Sequence, residues 1–188
     1  YGEGVWLVQS SHVRNYTIKG CIVSDLALDP VTKDVLVTTI NAGLRIFRKD
    51  GAPFLHEIES NRLKKLFAKN IFLGPTLNLE NGSLLIGAGH TLHKVRDDRI
   101  DSVVTPSPVT SLYYQRAKNR IWIGCRFFLG YCDTNLDTLV KVPQGIEFVV
   151  RSIAELPDGK IVLGTDRGIR IESGDRFLPA AADSSIQH

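Results

Sequence analysis

GKIVLGTDRGIRI, residues 159–171, is the clearest copy of a pattern that recurs along the chain: an apolar β run, Gly-Thr, a short turn, Gly and a second β run. The weaker copies are DVLVTTINAGLRIF (34–47), SLLIGAGHTLHKV (83–95) and RIWIGCRFFLGYC (120–132). Another apolar alternation lies upstream of each copy: VSDLALD from Val23, LGPTLNL from Leu73, VTSLYYQ from Val109 and VRSIAEL from Val150. The chain is therefore organised as a repeat.

The spacing of the copies indicates the type of repeat. Val35, Leu84, Ile121 and Ile161 hold the same position in the four copies, at intervals of 49, 37 and 40 residues. Roughly 40 residues is the length of one four-stranded blade of a β-propeller. We therefore predict an all-β fold, a β-propeller of four-stranded antiparallel blades.

Each repeat supplies four short strands separated by turn residues. Pro157-Asp158-Gly159 follows the first strand of the last copy, and Asn81-Gly82 occupies the same place in the second copy; both are hairpin signals. The second strand is apolar at nearly every position, as expected for a strand between neighbouring blades. The predicted fourth strands are short: FLHEI, RIDSV, TLVKV and RFLPA.

Strict alternation along the first strand of the last copy predicts which residues share a face. Side chains point to opposite faces of a strand with period two. Val150, Ser152 and Ala154 would then lie on one face, and Arg151, Ile153 and Glu155 on the other.

The chain opens within a blade. Gly4 to Val8 aligns with Gly43 to Phe47 at an interval of 39 residues, and His12 to Thr17 then forms the fourth strand of that blade. We expect about four and a half blades, part of a larger ring, with a five-blade ring completed by the N-terminal strands as the alternative. The predicted segments are 1–20 (the outer half of a blade) and the successive repeats 21–58, 59–105, 106–145 and 146–188.

Composition excludes several classes of protein. Hydrophobic residues make up 43% of the chain and charged residues 23%, which is typical of a globular domain. No apolar run approaches the length that spans a bilayer, so we expect no direct membrane insertion in this segment. A net charge of +3 is spread without a basic cluster, which argues against nucleic-acid binding. Only Glu59 to Ala68 has apolar residues at helical spacing.

The cysteines and histidines do not predict a metal site, a cofactor or a catalytic centre. Cys21, Cys125 and Cys132 lack metal-ligand spacing and are interpreted as small buried hydrophobic residues. If Arg126 to Phe128 form a hairpin turn, Cys125 pairs near Leu129. His90 and His93 are three apart in a predicted strand, which places them on opposite faces rather than around one ion.

Aromatic residues crowd into the third repeat. Trp122 lies in an apolar run and is predicted to be core. Phe127 and Phe128 fall in a predicted turn, where the fourth repeat carries Asp166-Arg167. We therefore predict Phe127 and Phe128 as ligand-binding residues exposed on one rim of the propeller, and Tyr114 as a further ligand-binding residue.

The motif V-x-S-I-A-E-x-x-D-G-K-I-V-L-G-T-D-R-G-I, residues 150–169, resembles the two-component regulator propeller repeat. VTSLYYQRAKNRIWIG, residues 109–124, is similar to it, while the first copy has Thr38 where Gly is expected and the second has Ala88 in place of Thr. The resemblance covers most of the chain. It implies the periplasmic or extracytoplasmic sensor of a bacterial hybrid two-component system, in which paired propellers precede a membrane helix and a histidine kinase.

The resemblance also implies partners and a function. Ligands in that family are often oligosaccharides, so a small-molecule or carbohydrate ligand and an adjacent propeller or homodimer partner are expected. No catalytic residue is carried over, and the segment is predicted to be non-enzymatic. Two other classes stay open: a protein–protein interaction scaffold propeller, and a propeller lyase or lactonase.

Overall fold

The computed structural model describes residues 5–9, 12–16, 22–28, 34–40, 43–47, 73–96 and 99–180. In these residues it shows seventeen β-strands arranged in five antiparallel sheets. The chain divides into two compact units, Tyr1–Val109 and Thr110–His188.

The first unit contains three sheets. The first pairs β1 with β2, the second has the order β3-β4-β5, and the third has the order β6-β7-β8-β9. The bounds are β1 Val5–Gln9, β2 His12–Tyr16, β3 Val23–Leu28, β4 Val35–Thr39, β5 Leu44–Phe47, β6 Leu73–Asn78, β7 Leu84–Ala88, β8 Thr91–Arg96 and β9 Arg99–Val104.

The second unit is built of two four-stranded sheets, whose first strand begins at Val109. We call them the third-repeat sheet, β10-β11-β12-β13, and the fourth-repeat sheet, β14-β15-β16-β17. The bounds are β10 Val109–Gln115, β11 Arg120–Cys125, β12 Phe128–Cys132, β13 Val140–Lys141, β14 Val150–Glu155, β15 Ile161–Thr165, β16 Gly168–Ser173 and β17 Arg176–Pro179.

The predicted all-β fold of antiparallel blades is confirmed. In every sheet the spatial order of the strands follows the chain, and each sheet falls within one of the predicted segments. Within the described ranges the only helical segment is a single 3₁₀ turn, Arg116–Lys118. The candidate helix at 59–68 and the predicted strand at 54–58 lie outside the described residues.

The hairpin predicted from Pro157-Asp158-Gly159 forms as expected. The Gly159 amide donates to the Leu156 carbonyl at 2.9 Å, and Gly159 has φ +82°, a conformation that glycine adopts without steric cost. The Lys160 amide donates to Asp158 Oδ1 at 3.1 Å. The turn therefore sets the register of β14 and β15.

Polar contacts join two neighbouring sheets of the first unit. Asp25 Oδ2 on β3 accepts hydrogen bonds from the amide of Thr76 at 2.6 Å and from Thr76 Oγ1 at 2.8 Å. Thr38 Oγ1 donates to the Gly74 carbonyl at 3.0 Å. Thr38, which stands where the repeat expects Gly, thus links β4 to the neighbouring sheet.

The second unit has a continuous apolar core between its two sheets. Trp122 is buried in it, as predicted, with its ring centroid 5.2 Å from that of Tyr131 and 6.1 Å from that of Phe177. The buried members of this core are Trp122, Leu129, Val142, Ile146, Phe148, Val150, Ile153, Ile161, Leu163 and Phe177.

The prediction of strict alternation along β14 is wrong. Val150 and Ile153 are both buried, whereas Ser152 and Ala154 are exposed. The reason is a β-bulge: Val150 pairs with Thr165 and Ser152 with Gly164, so the register shifts between them. An extra residue in one strand reverses the faces that follow it.

Candidate functional site

The turn between β11 and β12 combines two unfavourable features at one aromatic residue. Phe127 has φ +60°, in the left-handed region that bulky residues seldom occupy. Its side chain is 52% exposed. The Phe127 amide donates to the Phe148 carbonyl at 3.1 Å, which fixes the turn against the segment preceding β14. An exposed ring in a strained backbone is a feature that folding alone does not favour.

Phe128 does not lie in the turn, so the prediction that it is exposed there is wrong. It is the first residue of β12 and is only 5% exposed. Its ring lies against Gly130: a Cβ placed on Gly130 would come within 2.6 Å of Phe128 Cζ. The glycine opens a space that the ring fills, so Phe128 belongs to the core.

Hydrogen bonds connect the Phe127 turn to the corresponding turn of the fourth-repeat sheet. Arg126 forms an isolated antiparallel bridge with Val149. The Val149 amide donates to Asp166 Oδ1 at 2.8 Å, and the Asp166 amide donates to the Val149 carbonyl at 3.3 Å. Residues 126–127, 147–149 and 166–167 therefore form one continuous surface.

We call this the Phe127 surface: Arg126, Phe127, Glu147, Val149, Asp166 and Arg167. The Arg126 guanidinium carbon lies 5.0 Å from the Phe127 ring centroid, within cation–π distance. Arg167 Nη1 lies 4.0 Å from Glu147 Oε2, and both side chains are largely exposed. The Phe127 surface thus combines an exposed aromatic ring with two cations and two carboxylates. This arrangement can stack on a flat apolar face and exchange hydrogen bonds with hydroxyl groups around it.

Tyr114, the third predicted binding residue, lies elsewhere. It is near the end of β10 that adjoins the 3₁₀ turn, and its hydroxyl donates to Asn119 Oδ1 at 3.1 Å. Phe127 follows the last residue of β11, Cys125. Because β11 runs antiparallel to β10, this end of the sheet is the one away from Tyr114. The three residues predicted as one binding set are therefore divided between the core and the two ends of the third-repeat sheet.

A groove that was not predicted from the sequence lies at the Tyr114 end. It has a volume of about 560 Å³ and passes between β10 and the β14–β15 hairpin. Its lining is Tyr113, Ala117, Glu155, Leu156, Pro157, Asp158 and Gly159. The Pro-Asp-Gly turn, which is predicted from the sequence, forms one wall of the groove. The contact between this hairpin and Tyr113, about forty residues earlier, is a tertiary contact that the repeat pattern does not encode.

The register predicted around the cysteines is shifted by one residue. Cys125 pairs with Phe128, not near Leu129, because the turn contains only Arg126 and Phe127. Cys125 and Cys132 are buried, as predicted, and Cys21 lies outside the described residues. Burial, with the nearby Asp133 charge, raises the pKa of Cys132 to about 12. These thiols are inert parts of the core.

The histidine pair shows no shared site. His93 lies in β8, where its Nδ1 is 2.7 Å from Ser102 Oγ, and burial lowers the pKa of its imidazole. His90 lies in the turn before β8 and is exposed. Over the residues that the structure describes, no three His, Cys, Asp or Glu side chains are grouped as metal ligands. Nor do those residues include a helix that could span a membrane.

Solved structures similar to this one include the WD40 beta propeller domain of Doa1, which gives a TM-score of 0.62 at 13% identity over 85% of this chain and 53% of its own. The extracellular domain of BT4673 from B. thetaiotaomicron, named as a hybrid two component system, gives a TM-score of 0.71 at 16% identity over 97% of this chain and 25% of its own. The extracellular domain of BT3049 from the same organism, named likewise, gives 0.68 at 20% identity over 89% of this chain and 23% of its own. This chain therefore spans about a quarter of the length of these two extracellular domains.

A propeller of another kind is also similar. Virginiamycin B lyase from Staphylococcus aureus gives a TM-score of 0.68 at 12% identity, covering 96% of this chain and 64% of its own. At these identities the likeness shows the propeller fold. No protein-family model and no curated protein matches the sequence.

Proposed function

We propose that this domain is the non-catalytic, ligand-sensing propeller of an extracytoplasmic receptor in a two-component signalling system. The repeat motif at residues 150–169 resembles the propeller repeat of such sensors. The fold likeness to two extracellular domains named as hybrid two component systems supports the same assignment and an extracytoplasmic location. A rearrangement on ligand binding would pass to a kinase through an adjacent propeller or a second copy of the receptor.

The Phe127 surface is the proposed recognition site, and one observation carries it. Phe127 keeps its ring in solvent on a left-handed backbone, whereas the turn in the fourth repeat carries two polar residues, Asp166 and Arg167, and has its positive φ at Gly168. Strain and exposure together cost folding free energy, of order 1–3 kcal/mol for the backbone alone. A binding role accounts for that cost.

The chemistry of the surface favours an oligosaccharide. Each sugar ring has an apolar face that stacks on an aromatic side chain, and its hydroxyl groups both donate and accept hydrogen bonds. The Phe127 ring supplies the aromatic side chain for stacking. The hydrogen-bond partners for the hydroxyl groups are Arg126, Glu147, Asp166 and Arg167. The two charges of each sign leave the surface without net charge, which suits a neutral ligand.

A direct test is calorimetric titration of the purified 188-residue chain with a panel of neutral oligosaccharides. We expect at least one member of the panel to bind, and Phe127→Ala to weaken that binding about tenfold, with a melting temperature close to wild type. Leu178→Ala is the matched control because Leu178 is a comparably exposed apolar residue, at 48%, on a different strand. It should bind like wild type.

Three results would overturn the proposal at different levels. If no saccharide binds and an isolated partner protein does, the ligand class is wrong and the scaffold alternative is supported. If a saccharide binds equally to wild type and to the Phe127 variant, recognition takes place elsewhere. Turnover of a bound ligand would contradict the non-catalytic assignment.

A further inference from the structure

We infer that the groove between β10 and the β14–β15 hairpin is a second binding site, for a small ligand that carries a primary ammonium group. The groove is a shallow, open depression of about 560 Å³. It lies at the opposite end of the third-repeat sheet from the Phe127 surface, so it goes beyond the proposed function and does not depend on it.

The carboxylate of Glu155 is held in place on the groove wall by two donors. The Tyr113 hydroxyl donates to Oε2 at 3.1 Å, and Gln115 Nε2 donates to Oε1 at 3.0 Å. A carboxylate has about four acceptor positions on its two oxygens. Each oxygen therefore keeps one further position for a donor that enters the groove.

The orientation of the Gln115 amide is fixed by its hydrogen bonds. It is fully buried, its Nε2 also donates to the Gly159 carbonyl at 2.9 Å, and its Oε1 accepts from Trp122 Nε1 at 3.1 Å. A flipped amide would set its oxygen against two acceptors and its nitrogen against the indole N–H. Because Gln115 is buried and both polar atoms of its amide are hydrogen-bonded, the amide is rigid. It holds Glu155 as the supporting residues of a binding site hold a ligand-contacting group.

Charge selects the class of ligand. The groove lining includes two carboxylates, Glu155 and Asp158, and no Lys, Arg or His. Lys160 Nζ lies 2.6 Å from Asp158 Oδ2 and lowers the pKa of that carboxyl, so Asp158 is already paired. Burial and the hydrogen bond to Glu155 raise the pKa of Tyr113, so its hydroxyl stays a donor. Glu155 is then the acceptor best placed for an ammonium group.

The rest of the wall suits a compact apolar body. Leu156 is 37% exposed and adjoins Pro157, and Tyr113 contributes an aromatic ring. A ligand with an ammonium at one end and a flat apolar part at the other would use both. Benzylamine has this form, and benzyl alcohol is its uncharged analogue of nearly the same shape.

The test follows the indole N–H resonance of Trp122, one of two tryptophans in the chain, while each probe is titrated into the 188-residue protein. Trp6→Phe assigns the signal. We expect benzylamine to shift it in a saturable manner and benzyl alcohol to bind at least about tenfold more weakly, since only the charged head group differs.

Glu155→Gln should abolish the benzylamine response, because it keeps the shape of the side chain and removes its charge. Asp175→Asn is the matched control: it removes an exposed carboxylate that lies neither in the groove lining nor on the Phe127 surface and should leave the response unchanged. Gln115→Met removes the hydrogen bond that Gln115 donates to Glu155 and leaves the charge of the groove unchanged. We expect it to weaken benzylamine binding, because the Glu155 carboxylate is then held less firmly in place.

Equal binding of the two probes, or an unchanged response in Glu155→Gln, overturns the inference. If Glu155→Gln does not fold, the comparison of the two probes on the wild-type protein decides alone. Loss of saccharide binding at the Phe127 surface would leave this result unaffected, so the two proposals fail separately.

Discussion

The β11–β12 and β15–β16 hairpins hold the same position in consecutive repeats and close in different ways. Both turns contain two residues, since Cys125 pairs with Phe128 and Thr165 with Gly168. In the fourth repeat, Thr165 Oγ1 donates to the Gly168 carbonyl at 2.6 Å and accepts from the Arg167 amide at 3.1 Å. Side-chain hydrogen bonds therefore support that turn.

In the third repeat, the residues that flank the turn are buried. Cys125 and Phe128 are both buried, and the Phe128 ring fills the space over Gly130. Phe127 is then left exposed with a positive φ. Consecutive repeats can thus close the same two-residue turn with the positive φ at different positions, Phe127 in one and Gly168 in the other, and such a change can leave an aromatic residue exposed.

The largest expected effect separates the two adjacent phenylalanines. Phe128→Ala should lower the free energy of unfolding by about 3–5 kcal/mol, because truncating a buried ring leaves a cavity. Phe127→Ala should change it by no more than about 0.5 kcal/mol, as for most exposed sites. Urea denaturation of both variants measures the difference. Similar losses would show that the two rings share one environment and would remove the basis of the comparison.

The next effect concerns the glycines before the two turns. A Cβ on Gly124 would lie 2.6 Å from Val150 Cγ1 and 2.3 Å from Ser111 Oγ, and both of these residues are buried. Gly124→Ala should therefore cost about 2–3 kcal/mol through overpacking.

Gly164→Ala is its counterpart in the fourth repeat. There a Cβ would meet chiefly Ser152 Oγ, at 2.3 Å, and Ser152 is exposed and can rotate away. We expect a cost of under about 1 kcal/mol. Thermal melts of the two variants test the ranking, and a larger loss at Gly164 would contradict it.

The repeat itself could be predicted from sequence because its signals are local. Gly-Thr, the Pro-Asp-Gly turn and period-two apolar runs each specify the conformation of a few neighbouring residues. They located the hairpins around Gly159 and Gly168 and the burial of Trp122.

The candidate sites could be predicted only in part, because they depend on contacts between repeats and on single-residue offsets. The bulge at Val150 reversed the faces of β14, and a turn one residue shorter than expected moved Phe128 into the core. The Gln115–Glu155 contact joins residues 40 apart, and no local pattern signals it.

The third expected effect concerns the residues that face Ile121 in β11 and Ile161 in β15. Cys132 pairs with Ile121, while Glu172 in the fourth repeat accepts a hydrogen bond from the Ile161 amide at 2.8 Å. Burial raises the pKa of Cys132 to about 12, whereas a free thiol has a pKa of about 8.5.

The folded state thus favours the neutral thiol. The stability that this contributes is present below pH about 8.5 and is lost as pH rises toward 12. At pH about 9 we expect iodoacetamide to label Cys132 in urea and not in the native protein, as read by peptide mass spectrometry. Rapid native labelling would mean that this end of the third-repeat sheet opens to solvent.

The smallest effect on stability gives the most direct test of the central claim, that Phe127 is kept for recognition rather than for folding. Phe127→Gly and Phe127→Ala both remove the ring, but only glycine relieves the left-handed strain. Glycine should therefore make the protein more stable than alanine does, by about 1 kcal/mol.

Melting and saccharide binding should be measured together on wild type and these two variants. The account predicts that Phe127→Gly melts no lower than wild type, melts above Phe127→Ala, and loses binding as completely as Phe127→Ala does. A Phe127→Gly protein that melts several degrees below wild type, or that binds the saccharide like wild type, would contradict it.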